Sequence, residues 1–489
     1  MGAIARFFKI EEAGTTIATE VRAGVVTFMT MAYIIVVQPI VLSAAGMDIE
    51  AVMLATCIAS AVATLVMGLV ANYPIALAPA MGHNFYFAFL VTSGMATWQQ
   101  ALGAVFVSGV LFMALSFFGF RERIINAMPD SLKYAIAVGI GLLIALVGLQ
   151  TAGIVVENVE NPMATGLTIG RFGKPALLAV IGLAITGSLM AFKVRGAILI
   201  GLAGTTVVGM LMGLVHPVST PVSLPPMASL GRTMLKLNIL GALKLGLFGV
   251  IFTFFILDLF DTIGTLVGVS QQAGLMVDGK LPRARRALFA DASGTVVGSA
   301  LGTSTVTSYI ESAAGVSEGG RTGLASVVTA LLFLVAMFFM PCVRMIAGGV
   351  PTTQEFHLAH VQGSVETTRE VDGEPAAQEE PVEMPAAAKL IVRRLKVLSP
   401  VTAPTLILIG CLIMTSVVRI PWGDWTEALP SFLAILLMPL TGNITEGIAF
   451  GFIAYAFLKI VTWRVREVSP WVVVFAGLFV ARYIYQALN

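Results

Sequence analysis

Four side chains able to do acid–base and hydrogen-bond chemistry fall on one stripe of one apolar segment. In Phe254-Phe255-Ile256-Leu257-Asp258-Leu259-Phe260-Asp261-Thr262-Ile263-Gly264-Thr265, the residues Asp258, Asp261, Thr262 and Thr265 follow the i, i+3, i+4, i+7 spacing of a single helix face. Inside a bilayer each carboxylate costs roughly 2.5–3.5 kcal/mol on insertion scales, so an acid kept there marks a functional group. The competing reading is a hydrogen bond between helices. A third acid, Glu311, follows Ser308-Tyr309-Ile310. Ser308-x-x-Glu311 also matches a capping box that would tie off a helix start. Both roles are compatible, because a glutamate in the first turn of a half-helix is favoured by the dipole while still pointing into a cavity. Asn84 offers a donor and an acceptor to a heterocycle. His83 beside it either bonds a backbone carbonyl or takes part in binding or proton handling.

Two interrupted segments must position these groups. Tyr73-Pro74-Ile75-Ala76-Leu77-Ala78-Pro79-Ala80-Met81-Gly82-His83-Asn84-Phe85 carries two prolines that force extended backbone before a helix starts. Gly302-Thr303-Ser304-Thr305-Val306-Thr307-Ser308-Tyr309-Ile310-Glu311-Ser312 is rich in β-branched residues and then turns helical. They lie at similar depth in the two halves of the chain. Irregular backbone at membrane depth survives only inside protein or beside a wet cavity, and paired interruptions in two inverted repeats form the midplane site of many secondary transporters.

The composition supports a membrane setting. The 489 residues are 57% hydrophobic and 11% charged, with a mean hydropathy of +0.92, values a water-facing domain could hardly sustain. Apolar stretches long enough for a bilayer helix recur, among them Val25–Ala45, Ala101–Phe120, Ile136–Leu149, Ile198–Val215 and Thr322–Met340. A net charge of +2 with scattered basic residues excludes a nucleic-acid surface as partner. Membrane lipid is the expected surrounding. Cys57, Cys342 and Cys411 lie far apart and read as small core hydrophobes. His357 and His360 lack a ligand pattern around them, so no metal is expected. Nothing matches a nucleophile elbow or HExxH, which argues against an enzyme.

The first apolar run follows a polar start and is expected to stay as the first span; Arg6 stands where a myristoylation signal needs Ser or Thr. Basic clusters at Arg121/Arg123/Lys133, Lys193/Arg195 and Lys280/Arg283/Arg285/Arg286 fall on one side when spans are counted from a cytoplasmic N-terminus. Arg171, Lys174, Arg232 and Lys236 fall on the other. Residues Pro351–Val397 shift to Glu, Thr, Pro and Ala and read as a solvated loop. Near the end, Leu429–Leu440 is short and broken by Pro439, Gly442 and Asn443, and Trp471–Leu488 is either a span or an interfacial helix. The count comes to about fourteen spans.

The blocks Glu12–Asp48 (with Gly14-Thr15-Thr16, Thr27-Phe28, Met31-Ala32-Tyr33 and Leu42–Asp48), Leu77–Phe87, Asp258–Gly268, Phe289-Ala290-Asp291-Ala292, Gly302–Gly323 and Pro430–Phe452 carry a resemblance. The sequence resembles the nucleobase cation symporter 2 group, in its adenine/guanine/hypoxanthine permease branch. The resemblance implies an all-α integral membrane protein of about fourteen segments in two inverted repeats of seven, with core and gate domains and short strands and half-helices at the interruptions. Mapped here, the first repeat is 1–240, with core part 20–120 and gate part 130–216. The second is 241–489, with core part 241–341, the loop 351–397 and gate part 400–489. By motif, substrate residues fall on Asn84 in Gly82-x-Asn84, on Asp258 and Asp261, and on Glu311. His83 and Phe85 complete the binding set.

The implied activity is import of a purine nucleobase, adenine, guanine, hypoxanthine or xanthine, by proton symport and alternating access. No cofactor is needed, the proton gradient being the energy source. The cell membrane is the implied location, and a homodimer remains open. His83 departs from the apolar residue usual in related permeases, and the charged insertion is longer than usual. An edge of Glu311, Asn84 and Asp258 and a face of Phe85, Tyr86 or Phe87 would meet a planar base. Burial penalises a carboxylate's charge, so Asp258, Asp261 or Glu311 would take a proton outside and release it inside. An anion exchanger or channel of similar architecture is the alternative, against which the three acids argue.

Overall fold

The structure, a computed structural model, describes residues 2–118, 129–157, 167–244, 248–276, 281–347, 400–442 and 444–488. The loop 351–397 with His357 and His360, and the basic residues Arg121, Arg123 and Lys280, lie outside the described residues. The chain opens with α1 (Ala3–Phe8), then α2 (Ile17–Met31) and α3 (Ile34–Ser43), which together form a 27-residue apolar stretch, and α4 (Ile49–Val66). Thr16 and Asp48 start α2 and α4 by accepting from the amides of Thr19 and Ala51. A π turn, Met67–Ala71, ends α4, and Asn72 in the left-handed region (φ 51°) reverses the chain. Tyr73-Pro74 then leads into strand β1 (Leu77–Pro79), from which α5 (Met81–Thr92) begins.

The first half is completed by α6 (Trp98–Phe118), α7 (Asp130–Thr151), the hairpin β2 (Val155–Glu157) and β3 (Leu167–Ile169), α8 (Lys174–Ala191) and α9 (Ala197–Leu211). The second half contains α10 (Ile239–Lys244), α11 (Phe248–Gln272), α12 (Ala284–Leu301), β4 (Val306–Ser308), α13 (Ser312–Ser317), α14 (Gly323–Ala336) and α15 (Met340–Ala347). It ends with α16 (Ala403–Met414), α17 (Trp425–Thr441), α18 (Ile444–Val461) and α19 (Pro470–Leu488). Among the described residues, seven helices are long and apolar enough to cross a bilayer, and shorter apolar helices accompany them. Exposed side chains such as Leu211, Leu440 and Phe457 fit a surface that faces lipid.

Packing sorts the helices into two groups. In one, α4 packs on α14 and α12, α6 on α12 and α11, and α2 on α14 and α13. In the other, α7 packs on α16 and α17, α17 on α18, and α8 on α9 and α16. Small residues let backbones meet in both, as expected where packing rather than water exclusion drives association. A Cβ on Gly323 would sit 2.0 Å from the Gly68 carbonyl oxygen, and one on Gly410 2.4 Å from that of Gly141.

The two interrupted segments pair with each other. β1 and β4 run antiparallel with Leu77 opposite Ser308, Ala78 opposite Thr307 and Pro79 opposite Val306. The ladder continues through the Ala80 amide to the Thr305 carbonyl and the Tyr309 amide to the Ala76 carbonyl, both 2.9 Å. One strand-and-helix unit comes from each half of the chain, and the two pass in opposite directions.

A two-stranded sheet in the interior has two open edges, and surrounding side chains satisfy them. The Thr64 hydroxyl bonds both the Leu77 amide and its carbonyl, the Ala76 amide donates to Ser312 Oγ at 3.0 Å, and Thr295 Oγ1 donates to the Val306 carbonyl at 2.9 Å. The Ser326 hydroxyl donates to the carbonyls of Tyr73 and Ile75. Hydroxyl-bearing helices are what permit extended backbone at this depth.

α19 lies antiparallel along the whole of α18: Lys459 meets Glu467 at one end, Phe452 packs on Phe475 and Phe479 midway, and Glu446 takes Arg482 at the other end. With 19 residues against 18, the two helices match in length.

Candidate functional site

The polar stripe on α11 divides between two surroundings. Asp258 and Thr262 turn toward α12 and are enclosed, whereas the Asp261 side chain is 46% exposed beside β4. Thr262 Oγ1 donates to Asp291 Oδ2 at 2.6 Å and lies 3.5 Å from Asp258 Oδ1, while Thr295 Oγ1 lies 3.4 Å from Asp258 Oδ2. Asp261 Oδ2 instead accepts from Thr307 Oγ1 of β4 at 3.2 Å, and His83 Nδ1 stands 4.0 Å away. In this conformation Asp261, not Asp258, is the exposed member of the stripe.

Asp291 supports the site from behind. Fully buried on α12, its Oδ1 accepts from both the amide and the hydroxyl of Ser308 at 2.9 Å, fixing β4 to α12. This changes the reading of Ser308-x-x-Glu311. Ser308 belongs to the strand and is committed to Asp291, and the helix begins only at Ser312, with Glu311 at its N-cap position and without a side-chain cap bond. The capping box does not form, because pairing with β1 holds Ser308 extended. Glu311 Oε1 accepts from the Tyr33 hydroxyl at 2.7 Å, across the gap to the link between α2 and α3.

On the other side of the strand pair, Gln38 of α3 donates through Nε2 to Thr303 Oγ1 (2.9 Å) and Ser304 Oγ (3.2 Å), and the Ser304 hydroxyl donates to Asn84 Oδ1. Five buried atoms here and beside Asp261 have no partner: Gln38 Oε1, Asn84 Nδ2, Thr305 Oγ1 and both ring nitrogens of His83. Each costs about 1–3 kcal/mol if left unmet. Together with Asp261 and Glu311 they present a mixed set of donors and acceptors around the first turn of α5. That suits a small polar, uncharged molecule with alternating donors and acceptors on its edge.

The remaining expected residues have packing surroundings. Gly82 faces α7, where a Cβ would come 2.9 Å from Ile140. Phe85 is buried in an apolar cluster with Tyr33 and Tyr309, Tyr86 packs edge-on against Phe254 at 5.0 Å, and Phe87 is fully enclosed. Among the described residues no group of three or more His, Cys, Asp or Glu is arranged to hold a metal.

The model of the permease family that carries the name Xan_ur_permease matches residues 18–354. The chain belongs to this permease family. The resemblance to the nucleobase cation symporter 2 group therefore holds. This permease is 46% identical to a permease of Methanocaldococcus jannaschii over 99% of this chain and 98% of that one. It is 40% identical to the guanine/hypoxanthine permease PbuO of Bacillus subtilis, over 96% and 98% of the two chains. With the adenine permease AdeP of Escherichia coli the identity is 39%, over 99% and 96%. Among solved structures, the transmembrane domain of the cyanobacterial bicarbonate transporter BicA superposes with a TM-score of 0.59 at 13% identity, covering 88% of this permease and 97% of that chain. The murine anion transporter Slc26a9 gives 0.56 at 10% identity, covering 91% and 68%. These two show a shared fold alone: a helical, inverted-repeat transporter architecture. The permease is a multi-pass membrane transporter and not an enzyme.

Proposed function

We propose that this permease imports a neutral purine base across the cell membrane with a proton, by alternating access. The observation that carries the proposal is the ring of unpaired buried donors and acceptors, Asn84 Nδ2, Gln38 Oε1, Thr305 Oγ1 and the His83 nitrogens, set beside Asp261 and Glu311. A purine edge alternates N–H and ring nitrogen or carbonyl groups, and it can meet amide, hydroxyl and carboxylate partners at once. Relatives at 39–40% identity are named as guanine/hypoxanthine and adenine permeases. On this reading Asn84 and Glu311 hold the base edge, Asp261 shares it or carries the proton, and Asp258 and Asp291 position β4 and α11. Asp261 and Glu311 join the cleft to water, so a proton can enter and leave there without crossing lipid.

The two packing groups are then a core of α2–α6 and α11–α15 and a gate of α7–α9 and α16–α19, whose relative motion opens the cleft to each side in turn. Arg22, near the N-terminus, and Arg195, between α8 and α9, both reach Glu318. They share one end of the molecule, in keeping with a cytoplasmic N-terminus. The anion-exchanger alternative is less favoured, since a site lined by carboxylates repels anions. The test is competition: uptake of labelled hypoxanthine or adenine into proteoliposomes, challenged with unlabelled purines, uracil and bicarbonate. Purines should compete and uracil and bicarbonate should not; inhibition by bicarbonate with none by purines sinks the proposal.

A further inference from the structure

His83 is only 2% exposed, yet neither ring nitrogen has a hydrogen-bond partner. Its Nδ1 is 4.0 Å from Asp261 Oδ2, too far for a hydrogen bond and near enough to form one after a small side-chain rotation. The charged and titratable groups facing Asp261 are Asp291 of α12, Glu311 at the start of α13, and the hydroxyl groups of Tyr33 and Tyr309. Asp258 lies one turn away on α11. Among the described residues, His83 is the one basic side chain within ion-pair range of Asp261.

We propose that His83 is the proton partner of Asp261. This rests on the proton-coupled reading above and assigns the proton to one pair within it. A proton from water on the outer side adds to Asp261 Oδ2, and the new O–H donates to His83 Nδ1, an acceptor standing empty beside it. When the cleft opens inward, the proton returns to water and the two groups separate to the distance seen here. No other bond forms or breaks. Three features select this pair over the other acids. Asp261 is the acid open to the cleft, Glu311 is already engaged by Tyr33, and Asp258 and Asp291 are enclosed. His83 acts through Asp261 and is a positioning residue.

The test compares two transport modes in proteoliposomes loaded with the wild type, His83→Leu or His83→Gln. One is accumulation of labelled hypoxanthine or adenine driven by an acid-outside gradient; the other is counterflow at equal pH. The ratio of the two cancels differences in folding yield and in affinity. His83→Leu should lower the ratio at least tenfold and flatten the pH dependence of uptake, because it leaves the Asp261 O–H without an acceptor, whereas His83→Gln keeps an accepting oxygen and should stay near the wild-type ratio. A wild-type ratio and pH profile in His83→Leu overturns the assignment, as does a loss in His83→Gln equal to that in His83→Leu. If the wild type carries purine but ignores the gradient, proton coupling and this assignment fall together. A gradient-driven wild type with an unaltered His83→Leu ratio removes only the assignment.

Discussion

Replacing Asp291 by alanine tests whether β4 is held in place from behind. The substitution removes the acceptor for the Ser308 amide, the Ser308 hydroxyl and the Thr262 hydroxyl. The hydroxyls can rotate, and Thr262 has Asp258 3.5 Å away, so each counts at the low end of the range for an unmet buried donor. The amide cannot re-pair and counts in full. At about 1–3 kcal/mol for the amide and about 1 for each hydroxyl, the loss is roughly 3–5 kcal/mol. One tenfold change corresponds to about 1.4 kcal/mol, so local opening of the 303–312 segment should increase by roughly two to four orders of magnitude. Hydrogen exchange followed by mass spectrometry on peptides covering 303–312 reads this directly, with the β2–β3 hairpin as an internal control. Asp291→Asn keeps an oxygen for Ser308 and turns its NH₂ toward Thr262, so exchange there should rise less than tenfold. Wild-type protection of 303–312 in Asp291→Ala would refute the role given to Asp291.

Tyr33→Phe removes the donor to Glu311; loss of a hydrogen bond to a charged group, about 1.5–3 kcal/mol, should lower kcat/KM for purine uptake roughly 10- to 100-fold with normal folded yield. Lys459 is 1% exposed between Glu427 at 2.7 Å and Glu467 at 2.6 Å. Lys459→Met should destabilise the purified protein by about 3–5 kcal/mol, and adding Glu427→Gln should recover part of that, a non-additivity visible by thermal melting. Asp424, in the loop before α17, is held at about 2 by the Thr426 hydroxyl and amide and then by Arg464. Because its folded value is depressed, its stabilisation is present above its ordinary value near 3.8 and is lost as pH falls toward 2. Asp424→Ala should therefore lower the melting temperature at pH 7, by loss of a cap worth about 0.5–2 kcal/mol, and hardly at all near pH 2.

The interrupted segments were legible because their sequences contradict their setting. Prolines 74 and 79 and the Thr/Ser run at 303–308 cannot continue an apolar helix. Their pairing across more than 200 residues was not legible, since three-residue strands carry no register signal of their own. Helical spacing placed Asp258 and Asp261 on one stripe, but a stripe wide enough for both does not say which member meets a cleft and which meets α12. Asp291 sits among alanines at Phe289–Ala292 and looked like part of a motif rather than a support, because its partners are on β4 and α11. Tyr33 and Gln38 left fainter signals, a phenol and a lone amide in an apolar run, and nothing local points Tyr33 at Glu311, 278 residues away. The β2–β3 hairpin was not anticipated at all, in a connection whose strands are three residues long.

Equilibrium binding to the purified permease tests the central claim most directly. Labelled hypoxanthine, guanine and adenine should be offered to the wild type and to Glu311→Gln, with melting curves confirming that both are folded. The site between β1, β4, α5 and α11 predicts saturable binding of at least one purine by the wild type, weakened at least tenfold in Glu311→Gln. No purine binding by a folded wild type, or equal affinity in the two proteins, would contradict it.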